Sequence, residues 1–219
     1  MGQVLRIDPV NPEPSALERV VRVIRSGGVI VYPTDTIYGL GCVADQPAAV
    51  ERVLRIKQRE GEKGLLLLVP GSESAGSLCS EVPPSFEPLA REFWPGPVTF
   101  LLPAHLDLSN LIAGDRGLVG IRNPDSRYLH LLMEAIPGPL VSTSANISGE
   151  PPSGRVGELK EQLADKVDLF VDGGDVEKVV PSTVVDLSVI PPCVVRAGVL
   201  GTEVRHAIER LQSGRRQGR

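Results

Sequence analysis

The stretch VIVYPTDTIYGLGCVA, residues 29–44, starts as a buried strand and then breaks its own pattern. Three aliphatic residues and a tyrosine lead into Pro33, and Thr34, Asp35 and Thr36 follow before Tyr38, Gly39 and Gly41. A chain reversal needs only a few such turn-forming residues, so this segment leaves the core through more hydroxyl and carboxylate groups than a turn requires. Upstream, Ser15 and Glu18 read as a capping box, Leu17, Val20, Val21 and Ile24 share one helical face, and Gly27 and Gly28 stop the helix. Downstream, Pro47 suits a first helical position, and Val50, Val53 and Leu54 give a second apolar face that runs out in KQREGEK, residues 57–63. Helix, strand, polar turn and helix in succession predict an α/β chain.

The alternation continues. Strands are expected at 65–69, 98–102, 118–121, 139–142, 168–171, 182–187 and 193–196, and helices near 85–93, 125–136, 155–165 and 202–212. LLLLV at 65–69, apolar throughout, is expected to be covered on both faces. No internal repeat or linker divides the chain. The expected architecture is one α/β domain at 15–212, a twisted mixed sheet with helices packed on it, after a lead-in at 1–14. The basic end SGRRQGR, 213–219, is expected to be a disordered tail.

With 42% hydrophobic residues in 219 the chain can bury a sizeable core, and its net charge of −4 gives it no overall basic character. At 4% aromatic content it has few side chains for a stacking platform on single strands. Cys42, Cys79 and Cys193 form no metal or disulfide spacing, which fits a reducing cytoplasm. The N-terminus lacks a signal-peptide pattern, and no run approaches the ~20 apolar residues of a membrane span, so no membrane association is expected.

Polar clusters interrupt the apolar strand ends: YPTDTIYGLG (32–41), KQREGEKG (57–64), GIRNPD (120–125), STSANISGEPP (142–152) and PSTVVDL (181–187), with Arg196. In open α/β sheets ligands collect beyond strand ends, and these loops are expected to converge there. Lys57, Arg59 and Lys63 offer cations for a polyphosphate, but the same charges suit a solvated helix C-terminus. No GxxxxGK[ST] sequence is present, so the site is not of the Walker type. STSANISGEPP can bring hydroxyl, amide and backbone donors close to a ligand, or form an ordinary turn. Arg122 faces either a ligand carboxylate or an internal acid. His105, His130 and His206 are scattered, and neither GxSxG nor HExxH occurs, so neither a serine triad nor a dedicated protein metal site is expected.

PTDTIYGLG, IKQR with KGLLLL, WPGPVTFLL, VGIRNPD, VSTSANISGEPP and PSTVVDL together resemble, in this order, the YrdC-like family of threonylcarbamoyl-AMP synthases, in its short single-domain TsaC type. The resemblance implies a YrdC-like fold with a large concave cationic cleft. The implied reaction is a nucleotidyl transfer in which L-threonine, bicarbonate and ATP give L-threonylcarbamoyl-AMP and pyrophosphate. Partner proteins of the tRNA-modification machinery then carry the threonylcarbamoyl group to adenosine 37, and tRNA itself is a further candidate partner. By the same resemblance Thr34, Arg122, Ser142 and Thr183 meet threonine. Lys57, Arg59, Ser144, Asn146 and Arg196 surround the nucleotide, with Lys57 and Arg59 serving catalysis, and Lys63 is added on charge. Mg2+ is expected to arrive with ATP.

Within the turn, Thr34 is expected to meet substrate while Asp35 and Thr36 brace it. Lys57→Ala is expected to spare the fold and remove turnover. Leu118 stands where many relatives carry a small polar residue, and Gly64, in place of a common proline, is expected to loosen its loop. Two other readings compete: a carbamoyl-adenylate former, and a module that binds double-stranded RNA or tRNA.

Overall fold

The structure, a computed structural model, describes residues 2–58 and 64–217. In chain order the first half runs β1 (Gln3–Arg6), α1 (Pro14–Arg25), β2 (Ile30–Tyr32), β3 (Gly39–Gly41), α2 (Pro47–Ile56), β4 (Leu66–Leu68), α3 (Ala75–Leu78), α4 (Phe86–Phe93) and β5 (Val98–Pro103). The second half runs α5 (Asn110–Ala113), β6 (Leu118–Arg122), α6 (Arg127–Ala135), β7 (Leu140–Ser144), α7 (Val156–Leu163), β8 (Leu169–Asp172), β9 (Thr183–Asp186), β10 (Cys193–Arg196) and α8 (Gly201–Gln217). The ten strands form one mixed sheet in the order β1-β8-β2-β3-β7-β4-β6-β5-β9-β10.

The polar turn of residues 33–38 is the loop of a hairpin. β2 pairs antiparallel with β3, Tyr32 opposite Gly39 and Ile30 opposite Gly41. The sequence reading missed β3 because Gly-Leu-Gly carries no strand signal, yet space dictates its glycines. A Cβ on Gly41 would stand 1.8 Å from the Val141 carbonyl oxygen of β7, and one on Gly39 would stand 2.9 Å from the Tyr32 ring. Gly41→Ala is therefore expected to lower stability by about 1–3 kcal/mol, since β7 must shift to admit the methyl. A urea midpoint equal to that of the parent protein would contradict this.

Alternation along the strands sends side chains to two unequal faces. On one face Val31, Leu40, Leu67, Phe100, Ile121, Val141, Phe170 and Val185 are buried with Val53 of α2, Phe86 and Leu89 of α4, Leu159 of α7 and Val204 of α8. On the other, Ile30, Tyr32, Leu68, Leu140 and Val171 are buried with Val20 and Ile24 of α1 and Leu129 and Leu132 of α6. This second core draws mainly on the β1-β8-β2-β3 half of the sheet and ends near β7 and β4. The same face of β6, β5 and β9 has no helix in that core, and there the sheet floors a cleft.

Three boundaries differ from expectation. The lead-in contributes an edge strand, β1, parallel to β8. Helix α1 starts at Pro14 after Glu13 with no side-chain cap, so Ser15 and Glu18 do not form a capping box. Helix α8 continues to Gln217, into the segment expected as a tail. No helix among the described residues is long and apolar enough to cross a membrane.

Candidate active site

The cleft, about 680 Å³, is built by strand periodicity. Leu118, Gly120 and Arg122 of β6, Thr99 and Leu101 of β5, Val184 of β9, Ser142 and Ser144 of β7, and Gly39 of β3 line it. Their intervening neighbours Val119, Ile121, Phe100 and Val185 lie in the opposite core. The registers Ser142–Leu66–Gly120–Leu101 align these positions into a row across four strands. The ligand crevice expected beyond strand ends is thus on the open face of the sheet, because α1 and α6 cover only part of that face.

At one end stands Arg122, 4% exposed. It pairs with Asp35 through Nη2, donates from Nη1 to Thr36 Oγ1 at 3.1 Å, and donates from Nε to the Gly96 carbonyl at 3.1 Å. A guanidinium has five N–H groups, and three of them meet these partners. Both sequence alternatives hold for Arg122, since it has an internal acid and still lines the cavity. Within the turn the expected division of roles is less sharp. Thr34 Oγ1 donates to the Ile37 carbonyl at 2.6 Å and accepts from the N–H of Thr36 and of Ile37 at 3.1 and 3.2 Å, so this hydroxyl braces the turn even though Thr34 lines the cleft. Asp35 and Thr36 brace Arg122. Tyr38 clips the hairpin from behind, donating to the Gly174 carbonyl at 2.7 Å and accepting from Gly173 N–H at 3.0 Å. Burial pushes its phenol up to about 12.

Lys57 follows α2 and is 2% exposed. Its ammonium donates to the Ser144 carbonyl at 2.8 Å, to Asn146 Oδ1 at 2.7 Å and to the Asn146 carbonyl. Ser144 Oγ in turn donates to Asn146 Oδ1 at 2.5 Å, and Asn146 Nδ2 to the Glu150 carbonyl at 2.5 Å. Ser144 and Asn146 line the cleft and Lys57 stands behind them. Lys57 was expected to contact nucleotide; here its ammonium holds the turn after β7 that carries Ser144 and Asn146. Arg59 and Lys63 lie outside the described residues.

At the β9 edge, Ser182 lines the cleft, with its Oγ 2.9 Å from Thr99 Oγ1 and 3.1 Å from Arg196 Nη2, and its carbonyl accepts from Arg196 Nε and Nη2. Thr183 was expected to meet threonine; it is fully buried, and its Oγ1 accepts from the N–H of Gly198 and of Leu200. The next residue on a strand points to the other face, which makes Ser182 the cleft hydroxyl. Farther along β9, Asp186 accepts from Ser188 N–H at 3.0 Å, from Ser188 Oγ at 2.5 Å and from Arg116 Nη2 at 2.8 Å. Burial pushes the Asp186 carboxyl up, but these hydrogen bonds outweigh it and hold it below the usual carboxylate range. Asp168 is likewise lowered: burial opposes, and the Arg52 pair and the Val29 N–H prevail.

A carboxylate with a depressed folded-state pKa stabilises fully above its unfolded value near 4, and that stability is lost as pH falls through the folded value. Acid titration of Asp186→Asn should therefore show a smaller loss of stability below about pH 4 than the parent protein. Parallel acid limbs would contradict this.

A family model named for Sua5, YciO and YrdC, and described as "Telomere recombination", matches residues 22–198, well over half of the chain. The chain belongs to the Sua5/YciO/YrdC family. Among curated family members, a threonylcarbamoyl-AMP synthase of Vibrio vulnificus (strain YJ016) is 36% identical over 78% of this chain and 94% of its own length. One of Pyrococcus abyssi (strain GE5 / Orsay) is also 36% identical, over 82% of this chain; this chain spans about half, 53%, of that relative. The crystal structure of P. abyssi Sua5 complexed with L-threonine superimposes with a TM-score of 0.88 at 32% identity, covering 94% of this chain and 60% of that one.

Against the family motifs, the fold brings Thr34, Arg122, Ser142, Ser144, Asn146 and Arg196 to one cavity and leaves Lys57 and Thr183 behind its wall. Sequence reasoning missed Thr99, Arg116 and Ser182 in the lining and gave Thr36 a bracing role alone. Only Ser182 had a signal in sequence, as the neighbour of the threonine chosen. Leu118 does line the cleft, with an apolar side chain. Gly64 is no slack point, since a Cβ there would lie 2.7 Å from the Ile112 carbonyl oxygen and 2.9 Å from that of Leu118. Among the described residues the lining holds three guanidinium groups, Arg116, Arg122 and Arg196, and no carboxylate.

Proposed function

We propose that this chain is a cytoplasmic L-threonylcarbamoyladenylate synthase, joining L-threonine, bicarbonate and ATP into L-threonylcarbamoyl-AMP with release of pyrophosphate. One observation carries the reading: a rigidly braced guanidinium, Arg122, lines a cleft that also presents hydroxyl groups and the Asn146 amide. A planar fork of this kind suits a carboxylate. Because Asp35, Thr36 and Gly96 already fix it, little ordering remains when an amino acid binds.

The threonine carboxylate sits on Arg122. Its amine captures carbon dioxide supplied by bicarbonate, and an oxygen of the resulting N-carboxylate attacks the α-phosphorus. The bond from that phosphorus to the β-phosphate oxygen breaks, and pyrophosphate leaves. The substrates supply the nucleophile and the leaving group, so the protein's work is alignment and charge stabilisation. Ser142, Ser144, Asn146 and Arg196 face the nucleotide. Lys57 holds Ser144 and Asn146 in place, and Arg59 and Lys63 serve its phosphates. Mg2+ fits here as an ion carried by ATP: among the described residues the lining offers hydroxyl oxygens such as that of Ser142 toward an oxygen shell and no carboxylate to hold the ion alone. Bound, it would screen phosphate charge. The product is an activated acyl group for the threonylcarbamoyl-transferase machinery acting on adenosine 37 of tRNA.

Pyrophosphate release tests the reading. It should require ATP, threonine and bicarbonate together and cease when any one is omitted. Salt-sensitive tRNA binding without turnover would overturn it in favour of an RNA-binding module, and turnover with a carbamoyl donor in place of threonine and bicarbonate would favour a carbamoyl-adenylate former.

A further inference from the structure

The resemblance to the synthases assigns no role to Arg116. It lines the cleft from the turn that leads into β6, whose residues Leu118, Gly120 and Arg122 line the same cleft. Leu118 to Arg122 alone spans roughly 13 Å at strand rise, which puts Arg116 at the end of the cleft opposite Arg122. Ala113, three residues before Arg116, lines the cleft as well, and Leu101 lies across from Asp186 in the β5-β9 register.

Arg116 is 62% exposed, but its anchor Asp186 is 3% exposed. An ion pair with so exposed a partner stabilises little, while burying a carboxylate is costly unless its oxygens are satisfied. Ser188 serves Oδ1 twice, and Oδ2 accepts from Arg116. The pair engages Nη2 of Arg116, a residue that also lines the cavity. The arrangement fixes a cation at the cleft mouth more firmly than a surface arginine is held.

We propose that Arg116 is a further binding residue for the β- and γ-phosphates of the nucleotide, and that Asp186 is the positioning residue that aims it. This rests on the synthase reading above. Arginine's planar donor set suits phosphate oxygens, and a cation at the far end from Arg122 separates the polyphosphate from the amino-acid carboxylate.

Calorimetric titration of ATP and of AMP, each with magnesium, into the full chain and into Arg116→Gln and Asp186→Asn tests it. Arg116→Gln should weaken ATP binding roughly ten- to a hundredfold, the effect of losing charge-assisted hydrogen bonds, and leave AMP binding within about twofold. Arg116→Lys should recover part of the loss, and Asp186→Asn should move the ATP-to-AMP ratio the same way by less. A merely structural Arg116 would change thermal stability and leave that ratio alone. If the parent chain binds ATP and Arg116→Gln keeps its ratio, the assignment to Arg116 falls alone. If the parent chain binds neither nucleotide, the synthase reading falls and takes this assignment with it.

Discussion

Lys57→Ala is expected to cost about 3 kcal/mol or more of stability and to abolish ATP-dependent turnover together. The buried ammonium satisfies two carbonyls and an amide oxygen of the turn after β7. Each acceptor left buried and unpaired costs about 1–3 kcal/mol, offset in part by relaxation of the turn. Ser144 and Asn146 would then lose the geometry that presents them to the cleft. A contact made only with substrate would behave otherwise, with turnover lost and the unfolding midpoint retained. Lys57→Arg separates the cases further, because a guanidinium keeps the charge but does not fit where a compact ammonium meets converging oxygens. Denaturant unfolding and turnover of both variants check this, and a parent-like midpoint for Lys57→Ala would refute the indirect role.

Arg122→Ala should have a comparable effect on stability by a different route. It strips the counter-ion from Asp35, 12% exposed, and removes donors from Thr36 Oγ1 and the Gly96 carbonyl. Removing one partner of a buried pair typically costs about 3–5 kcal/mol. Replacing both partners, Arg122→Met with Asp35→Leu, should recover much of that stability while threonine-dependent activity stays lost. The double variant thus divides the structural share of Arg122 from its share in binding. Recovered activity in the double variant would contradict the carboxylate assignment.

Segments with one clear period were legible in the sequence. LLLLV, VTFLL and the helix bearing Val50, Val53 and Leu54 fall where the apolar spacing puts them, within a residue or two. β3 was not legible, because its two glycines answer to the crowding of Tyr32 and Val141 rather than to any strand propensity. β1, four residues with little burial at a sheet edge, is recruited only by pairing with β8, more than 160 residues away.

The site was legible as a set of motifs and less so as side-chain directions. In Pro181–Asp186 either Ser182 or Thr183 can be the cleft hydroxyl. The choice depends on the phase of β9, and its register with β5 sets that phase. Within the turn, composition does not distinguish a hydroxyl that meets a ligand from one that holds the Ile37 carbonyl. The Arg116–Asp186 pair joins residues 70 apart and follows only from the order β6-β5-β9.

The central claim is tested most directly by incubating the protein with ATP, magnesium, L-threonine and carbon-13 bicarbonate and identifying the adenylate formed by mass. The account predicts threonylcarbamoyl-AMP carrying the labelled carbon, formed with threonine and not with serine. An adenylate without the label, or one formed equally well without threonine, would contradict it.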